Sequence, residues 1–528
     1  MKTSGRMWWL MTIALLALNL FAPLPSITAE AGKSIAINLS ATPLSFDPLY
    51  AMIDAEKILL ANLHEGLVLW DQGVVAPGMA ERWSISADAT TYTFHLKKAY
   101  WSNGDEVTAK DFELSWKRIL RAEPPTFAGD LLSVIKNARA YREGKLANEE
   151  ELGVKALDKR VLQVVLEEPC SYFLNLLTIP ALMPVHQKYL QAQDVNYAPG
   201  FCSNGPFYIS EVEAGSHVIL LANEYYRGTR GNIREIKVTY LPPKTGVTLF
   251  GAGMYDLLED PPFSMFGDYT DRLVQVSTMG TGFLYLNTRR PPLDNVLFRK
   301  ALSLALNRDI LVAKTLGYAG VPATGLIPPG LADSKSGSDF RQTGGDLVGA
   351  ADGKKCLELL YQAGYPNEDG YPPLEILVVD SLIPAEMAKT VAEMWEVNLG
   401  IKTKVKAVTY NEFLELAATG RFYTARQGWT GDYPDPMTFF QLFRSGAEEN
   451  FTGYQNPEYD YWLTVASKTM DSISRYKIYH RLEERLLSDL PVIPLYFNVK
   501  PYLVSPKLTG LTYTPQGYPL FQKARKLD

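Results

Sequence analysis

The chain reads as an α/β protein large enough for more than one domain, and three observations carry that reading. Its 528 residues are 47% hydrophobic, enough for one large core or two to three domains. Residues 375–380 are a short apolar run fit for a buried strand, and in 401–407 Ile401, Thr403, Val405 and Ala407 alternate with three lysines, as in a strand with one wet face. Between them Met387, Val391, Met394, Trp395 and Leu399 recur at helical spacing, from an opening at Pro384 to a stop at Gly400. Strand, helix, strand in that order is a crossover unit, right-handed by rule.

Taken in order, the chain begins with a leader. Lys2 and Arg6 precede a largely apolar run from Met7 to Ala22, Pro23 and Pro25 break it, and Ala29-Glu30-Ala31 offers a small-x-small cleavage site. Residues 1–31 therefore read as a secretory signal peptide, too short and wrongly flanked for a spanning helix. No cysteine follows the apolar run, so a lipid-modified N-terminus is not expected, and the address is periplasmic. Cleavage would take the net charge from −6 to −7, because two cations and one anion leave. Such a mildly acidic protein has no electrostatic footprint for nucleic acid or anionic lipid.

Beyond the leader, residues 34–39 read as a strand, and Ala55, Ile58, Leu59 and Leu63 as a helix face that ends by Gly66. Tyr92, Phe94 and Leu96 alternate with Thr91, Thr93 and His95, giving a half-buried strand. Asn103-Gly104 is a turn signal, and Thr108 caps a helix carrying Phe112, Ser115 and Trp116 on one side. Three cysteines allow three pairings. A bridge from Cys170 to Cys202 would close a 33-residue loop, stabilising by about 3–4 kcal/mol in the chain-entropy model. It would leave Cys356 as a buried free thiol.

Catalytic and metal motifs are poorly represented. Ser474 to Lys477 matches S-x-x-K and Lys244-Thr245-Gly246 matches K-T-G, but their order is the reverse of that in penicillin-binding enzymes and the intervening S-x-N is missing. Ser474 fits the first turn of an amphipathic helix whose core face is Tyr479, Leu482 and Leu486. The five histidines, His64, His95, His186, His217 and His480, show no metal-ligand spacing. No phosphate-binding loop and no G-x-S-x-G is present. No catalytic residue, metal site or cofactor is expected, and any ATP hydrolysis belongs to a partner.

The most chemically loaded stretch is RQGWTGDYPDP, Arg426 to Pro436. Gly428 and Gly431 allow close approach of the backbone, and Pro434 and Pro436 restrict what precedes each. Asp432 then sits on a stiff loop beside Trp429 and Tyr433. An aspartate in such a loop often turns or caps its own backbone, so local chemistry leaves both a structural and a ligand-binding role open.

The segments PGMAERW, YTFHLKKAYWSNGDEVTAKDF, LGVKALD, SYFLNLL, SNGPFYI, LNTRRPPLDNVLFRKALSLALNRD, GWTGDYPDP and PVIPLYF occur in that order. Together they resemble extracellular solute-binding proteins of family 5, the receptors of peptide and nickel ABC importers, and within it the periplasmic oligopeptide-binding proteins. The resemblance covers nearly all of the mature chain. It implies a two-lobed periplasmic-binding-protein fold with an additional smaller domain inserted in the first lobe. The first lobe would take 32–64, 186–279 and 500–528, the inserted domain 65–185, and the second lobe 280–499, with hinge crossings near 280 and 500.

The resemblance also implies roles. Asp432 matches the anchor for a ligand ammonium, Gly428, Trp429 and Thr430 the strand that pairs with the ligand backbone, and Arg426 an arginine available to a ligand carboxylate. Tyr433 joins them beside Asp432. The implied partners are an oligopeptide, a membrane-embedded ABC permease and its cytoplasmic ATPases, with the receptor itself a monomer. There are departures. Ala417 and Pro384 stand where relatives carry further carboxylate partners, and Gly280 and Thr430 where an enteric relative carries a cysteine pair. Nickel-complex, haem, opine and oligosaccharide receptors share the fold, so a non-peptide solute stays open. A secreted peptide-handling chaperone or enzyme is the alternative from another class.

Overall fold

A computed structural model describes residues 33–71, 73–190, 201–265, 267, 269–334, 338–365 and 374–528. The signal-peptide reading concerns 1–31 and lies outside them. The architecture is mixed α/β and is built on one 11-stranded sheet. From one edge its strands run Thr403–Val408, Leu374–Val379, Thr424–Thr430, Leu273–Leu286, Val492–Val504, Leu257–Glu259, Lys33–Asn38, Ile233–Thr239, His217–Ala222 and Phe207–Glu213, and Gly320–Pro322 adds to Val492–Val504. Sequence-distant strands thus meet at the centre. Leu273–Leu286 pairs antiparallel with Val492–Val504 along most of its length, and the register slips between Ser277 and Thr281 and again between Gly282 and Phe283.

The crossover unit forms as its pattern requires. Leu374–Val379 and Thr403–Val408 pair in parallel, joined by the helix Leu382–Leu399. That helix starts two residues before Pro384, because its first-turn N–H groups have no intrahelical acceptor and a proline there costs none. Met387, Val391, Trp395 and Leu399 are buried, and Gly400 ends the helix at φ 72°. The lysine strand departs from expectation: Ala407 is exposed and Val408 buried. It is the edge of the sheet, so neither face is fully covered.

A second, four-stranded antiparallel sheet, Ala80–Ile85, Thr91–Leu96, Val161–Val165 and Val154–Asp158, forms the smaller domain. Tyr92, Phe94 and Leu96 point into its core and the intervening threonines and His95 do not. The helix Ala109–Leu120 covers it, opened by a capping box in which the Thr108 N–H donates to Asp111 Oδ2 at 2.7 Å. Phe112, Ser115 and Trp116 are its buried face. The core of this domain runs without a break into the packing around Tyr433, Phe440 and Tyr479. The helix Ser472–Asp489 buries Tyr479, Leu482 and Leu486, and Asp471 Oδ2 accepts the Ser474 N–H at 2.8 Å, so Ser474 lies in a helix's first turn.

The Cys170–Cys202 bridge does not form: Cys170, Cys202 and Cys356 are all free and buried. The two sulphurs occupy different settings. Cys202 lies 3.7 Å from the Tyr189 hydroxyl. Cys170 sits beside Tyr172, where burial pushes its thiol up to about 12. A thiol that is neither exposed nor ionised reacts slowly. Native protein should therefore give almost no reaction with a thiol reagent, and three thiols per chain after unfolding without reductant. One thiol after unfolding would instead mean that a bridge exists.

Candidate functional site

The site grows from the strand Thr424–Thr430. On one side it pairs antiparallel with Leu273–Leu286, with Trp429 opposite Thr281 and Gly428 opposite Gly282. On the other side it pairs in parallel with Leu374–Val379 only at Thr424 and Ala425. From Arg426 to Thr430 the second edge has no partner strand among the described residues. The Gly431 N–H donates to Met279 O at 2.6 Å, and this sets the phase of the ladder. Hydrogen-bonded pairs alternate in antiparallel sheets, so Trp429 and Gln427 bond inward, while Arg426, Gly428 and Thr430 direct their N–H and C=O groups to the open edge. The Gly428 N–H reaches only the Gln427 side chain, at 3.2 Å. An extended ligand could add there as a further strand.

The glycines expected to permit close approach do so against the chain itself. A Cβ on Gly431 would stand 3.0 Å from Thr438 Cγ2 and one on Gly428 3.0 Å from Thr281 O, and one on Gly282, opposite Gly428, would lie inside the Tyr496 ring. Tyr496 also accepts a hydrogen bond from Arg426 Nη2, and the guanidinium lies 5.5 Å from the ring centroid. Arg426 Nε is buried without a hydrogen-bond partner. This arginine therefore keeps one unused donor. Ala417 is fully buried in the helix Tyr410–Ala418, and Pro384 lies in a helix's first turn; neither supplies a charge.

The two aspartates of the stretch stand in different surroundings. Asp435 is completely buried; its Oδ1 accepts the Met437 N–H at 3.0 Å and so fixes the start of the short helix Met437–Phe440, and Arg475 lies 3.9 Å from its Oδ2. It is the loop-shaping carboxylate. Asp432 is half-buried, and Thr438 Oγ1 donates to its Oδ2 at 3.3 Å while accepting from the Asp432 N–H at 3.1 Å and from Trp429 Nε1 at 3.3 Å. No lysine, arginine or histidine among the described residues forms an ion pair with it. Burial, reinforced by the charge of Glu449 and opposed by the Thr438 hydrogen bond, pushes its pKa up to about 7. A desolvated carboxylate without a counter-ion is a site prepared for a cation.

Tyr433 is buried and stacks on Tyr172 of the smaller domain, centroids 5.1 Å apart at 8°. Asn175 Nδ2 donates to Pro434 O at 2.7 Å, so the smaller domain holds this loop from outside. Asp432, Trp429 and Tyr433 line one cavity with Tyr172 and Phe127. Sequence reasoning missed Tyr172, Phe127, Thr438 and Glu449. SYFLNLL contains Tyr172, but nothing local says that its ring reaches a loop some 260 residues on. Elsewhere Glu211, Glu213 and His217 converge within 4.8 Å on an exposed hairpin. They bond to one another, His217 Nε2 to Glu211 at 3.3 Å and Nδ1 to Glu213 at 3.1 Å, and have no part in this site.

Residues 74–451 match the family model "Bacterial extracellular solute-binding proteins, family 5 Middle". The chain belongs to this family. It is 30% identical to the dipeptide-binding protein DppE of Bacillus subtilis over 92% of this chain and 90% of that one. The unliganded open form of the periplasmic murein tripeptide-binding protein MppA superimposes with a TM-score of 0.83 at 27% identity, covering 94% of this chain and 98% of the other. The oligopeptide-binding protein OppA of Haemophilus influenzae in complex with RPPGFSPFR gives 0.69 at 29% identity, covering 94% and 100%. The two-lobed periplasmic-binding fold is thus common to all of them, and this chain superimposes better on the open form than on the peptide complex. The family consists of binding proteins. No helix among the described residues is long and apolar enough to cross a membrane.

The raised pKa of Asp432 has a thermodynamic consequence. Folding takes up a proton where the unfolded carboxyl, near 3.8, is ionised and the folded one is not. Stability from this group therefore falls as pH rises from about 4 to about 7, and the full penalty stands above that window. Asp432→Asn should raise the stability of ligand-free protein at pH 8 by about 1–3 kcal/mol, with the gain vanishing near pH 4. Denaturant titrations at the two pH values measure it. A variant less stable at pH 8 would mean that the carboxylate is a structural partner.

Proposed function

We propose that this protein is an extracytoplasmic receptor that captures oligopeptides between its lobes and delivers them to an ABC import permease, with no catalytic step of its own. The observation that carries this reading is the conjunction of an unpaired, desolvated Asp432 with the open edge at Gly428 and Thr430. A sugar needs no buried counter-ion. A peptide brings both an ammonium for the carboxylate and a backbone for the strand edge. Main-chain hydrogen bonds give affinity without reading side chains, which suits an importer of mixed peptides. Arg426 is the group we assign to a ligand carboxylate. The permease and its ATPases are the partners, the receptor acts as a periplasmic monomer, and residues 1–31 are the export signal.

The domain limits follow the same reading. The second lobe spans 280–499, the first lobe is assembled from 32–64, 186–279 and 500–528, and 65–185 is inserted. The register slips between Ser277 and Phe283, opposite residues 494–499, lie beside these limits and support a crossing between lobes here. Bulges there weaken the ladder locally and favour bending. Ligand closure then rotates the lobes about this point. Small-angle scattering should give a larger radius of gyration for ligand-stripped protein than for peptide-loaded protein. Equal radii with binding confirmed would remove the hinge.

The anchor itself is tested by a double perturbation. Asp432→Asn keeps the shape and removes the charge, leaving a ligand ammonium buried without a counter-ion, a loss of about 3–5 kcal/mol. That corresponds to roughly a hundredfold to a few thousandfold weaker binding. N-acetylation of the peptide should cost the wild type similarly and the variant far less. Calorimetry on the four combinations yields the coupling energy, and coupling near zero would place the ammonium elsewhere.

A further inference from the structure

The cavity beside Asp432 contains a second carboxylate to which peptide capture alone gives no role. It has a volume of about 390 Å³ and opens between the smaller domain and the second lobe. Phe127, Leu131 and Tyr172 wall it on one side, Trp429 and Tyr433 on the other, and both Asp432 and Glu449 line it. The remaining charges in the wall are already engaged or turned outward. Asp130 is ion-paired with Arg142. Arg444 is exposed and donates to Thr464 Oγ1 at 2.9 Å. Neither Asp432 nor Glu449 has a cationic partner among the described residues, and the charge of Glu449 is felt at Asp432.

Asp432 lies in the aromatic-walled cavity and Glu449, exposed to solvent, stands at its mouth, and the two carboxylates repel each other until cations enter. A single α-ammonium relieves Asp432 alone. A second cation, on a stem that can lie along aromatic rings, relieves Glu449 as well and gains cation–π attraction on the way. Lysine or arginine at the first position of a peptide supplies both from one Cα. We propose that Glu449 selects peptides whose first residue is lysine or arginine, with the α-ammonium at Asp432 and the side-chain cation directed to Glu449. This rests on the peptide reading above. A free diamine would meet the same two carboxylates, but it would leave the N–H and C=O groups of Gly428 and Thr430 without partners, so the open strand edge favours a peptide.

The test is calorimetry on the full mature protein at pH 8, where Asp432 is ionised, with Lys-Ala-Ala-Ala and norleucine-Ala-Ala-Ala, which differ by the side-chain cation. Wild type should prefer the lysine peptide by about three- to tenfold, the range of a partly exposed ion pair with cation–π support. Glu449→Gln should bring that ratio to about one. Because the ratio is taken within each protein, a general loss of binding in the variant does not mimic the effect. A wild-type ratio near one, or a preference that survives in Glu449→Gln, overturns the proposal. N-acetyl-norleucine-Ala-Ala-Ala separates the two levels. If acetylation weakens binding while the lysine preference is missing, the anchor stands and the role of Glu449 falls. If acetylation has no effect, the anchor falls too. Displacement of the lysine peptide by 1,5-diaminopentane at comparable concentration overturns the choice of a peptide.

Discussion

The antiparallel ladder between Leu273–Leu286 and Val492–Val504 is the constraint on which the molecule depends. It brings together residues some 210–230 positions apart and stands in the middle of the 11-stranded sheet. Its register decides which ring covers which glycine: Tyr496 lies over Gly282, and Gly282 faces Gly428 on the next strand. The slips in register near Thr281 sit in the same few residues. On the proposed function, the open strand edge and the hinge are therefore set by one ladder, which would couple capture to closure without a separate relay.

Close to that ladder stand two carboxylates with raised pKa values. Asp435 is buried, but it has a backbone N–H and an arginine to hold it, and it shapes the loop. Asp432, three residues earlier, has one threonine hydroxyl and a neighbouring negative charge. Burial raises the pKa of Asp435 too, opposed by Arg475 and the Met437 N–H. Burial raises that of Asp432 with no cation to oppose it, a cost that the proposed ligand ammonium would remove. Sites that bind charge commonly show this opposition between stability and function.

The sequence carried much of the fold because its signals are local. The alternation at Tyr92, Phe94 and Leu96, the capping box at Thr108 and the glycine stop at Gly400 are each decided within a few residues. It misjudged the lysine strand, since whether a strand is an edge depends on which other strands arrive. It misjudged the cysteines for a similar reason: a spacing of 33 residues permits a bridge, but the packing put one thiol beside Tyr172 and the other beside Tyr189.

By itself, then, the sequence determined the α/β class, the crossover unit and the cluster of chemistry in Arg426 to Pro436, all of which rest on contacts between near neighbours in the chain. Only the tertiary structure decided which aspartate is free. Asp432 and Asp435 are separated by two residues and have the same side chain, so no local rule distinguishes them. Their difference comes from partners that arrive through space: Arg475 for one, Glu449 and the rings of the smaller domain for the other. Desolvation and Coulomb energy depend on the distance between groups and the medium around them, and neither can be read from position in a chain.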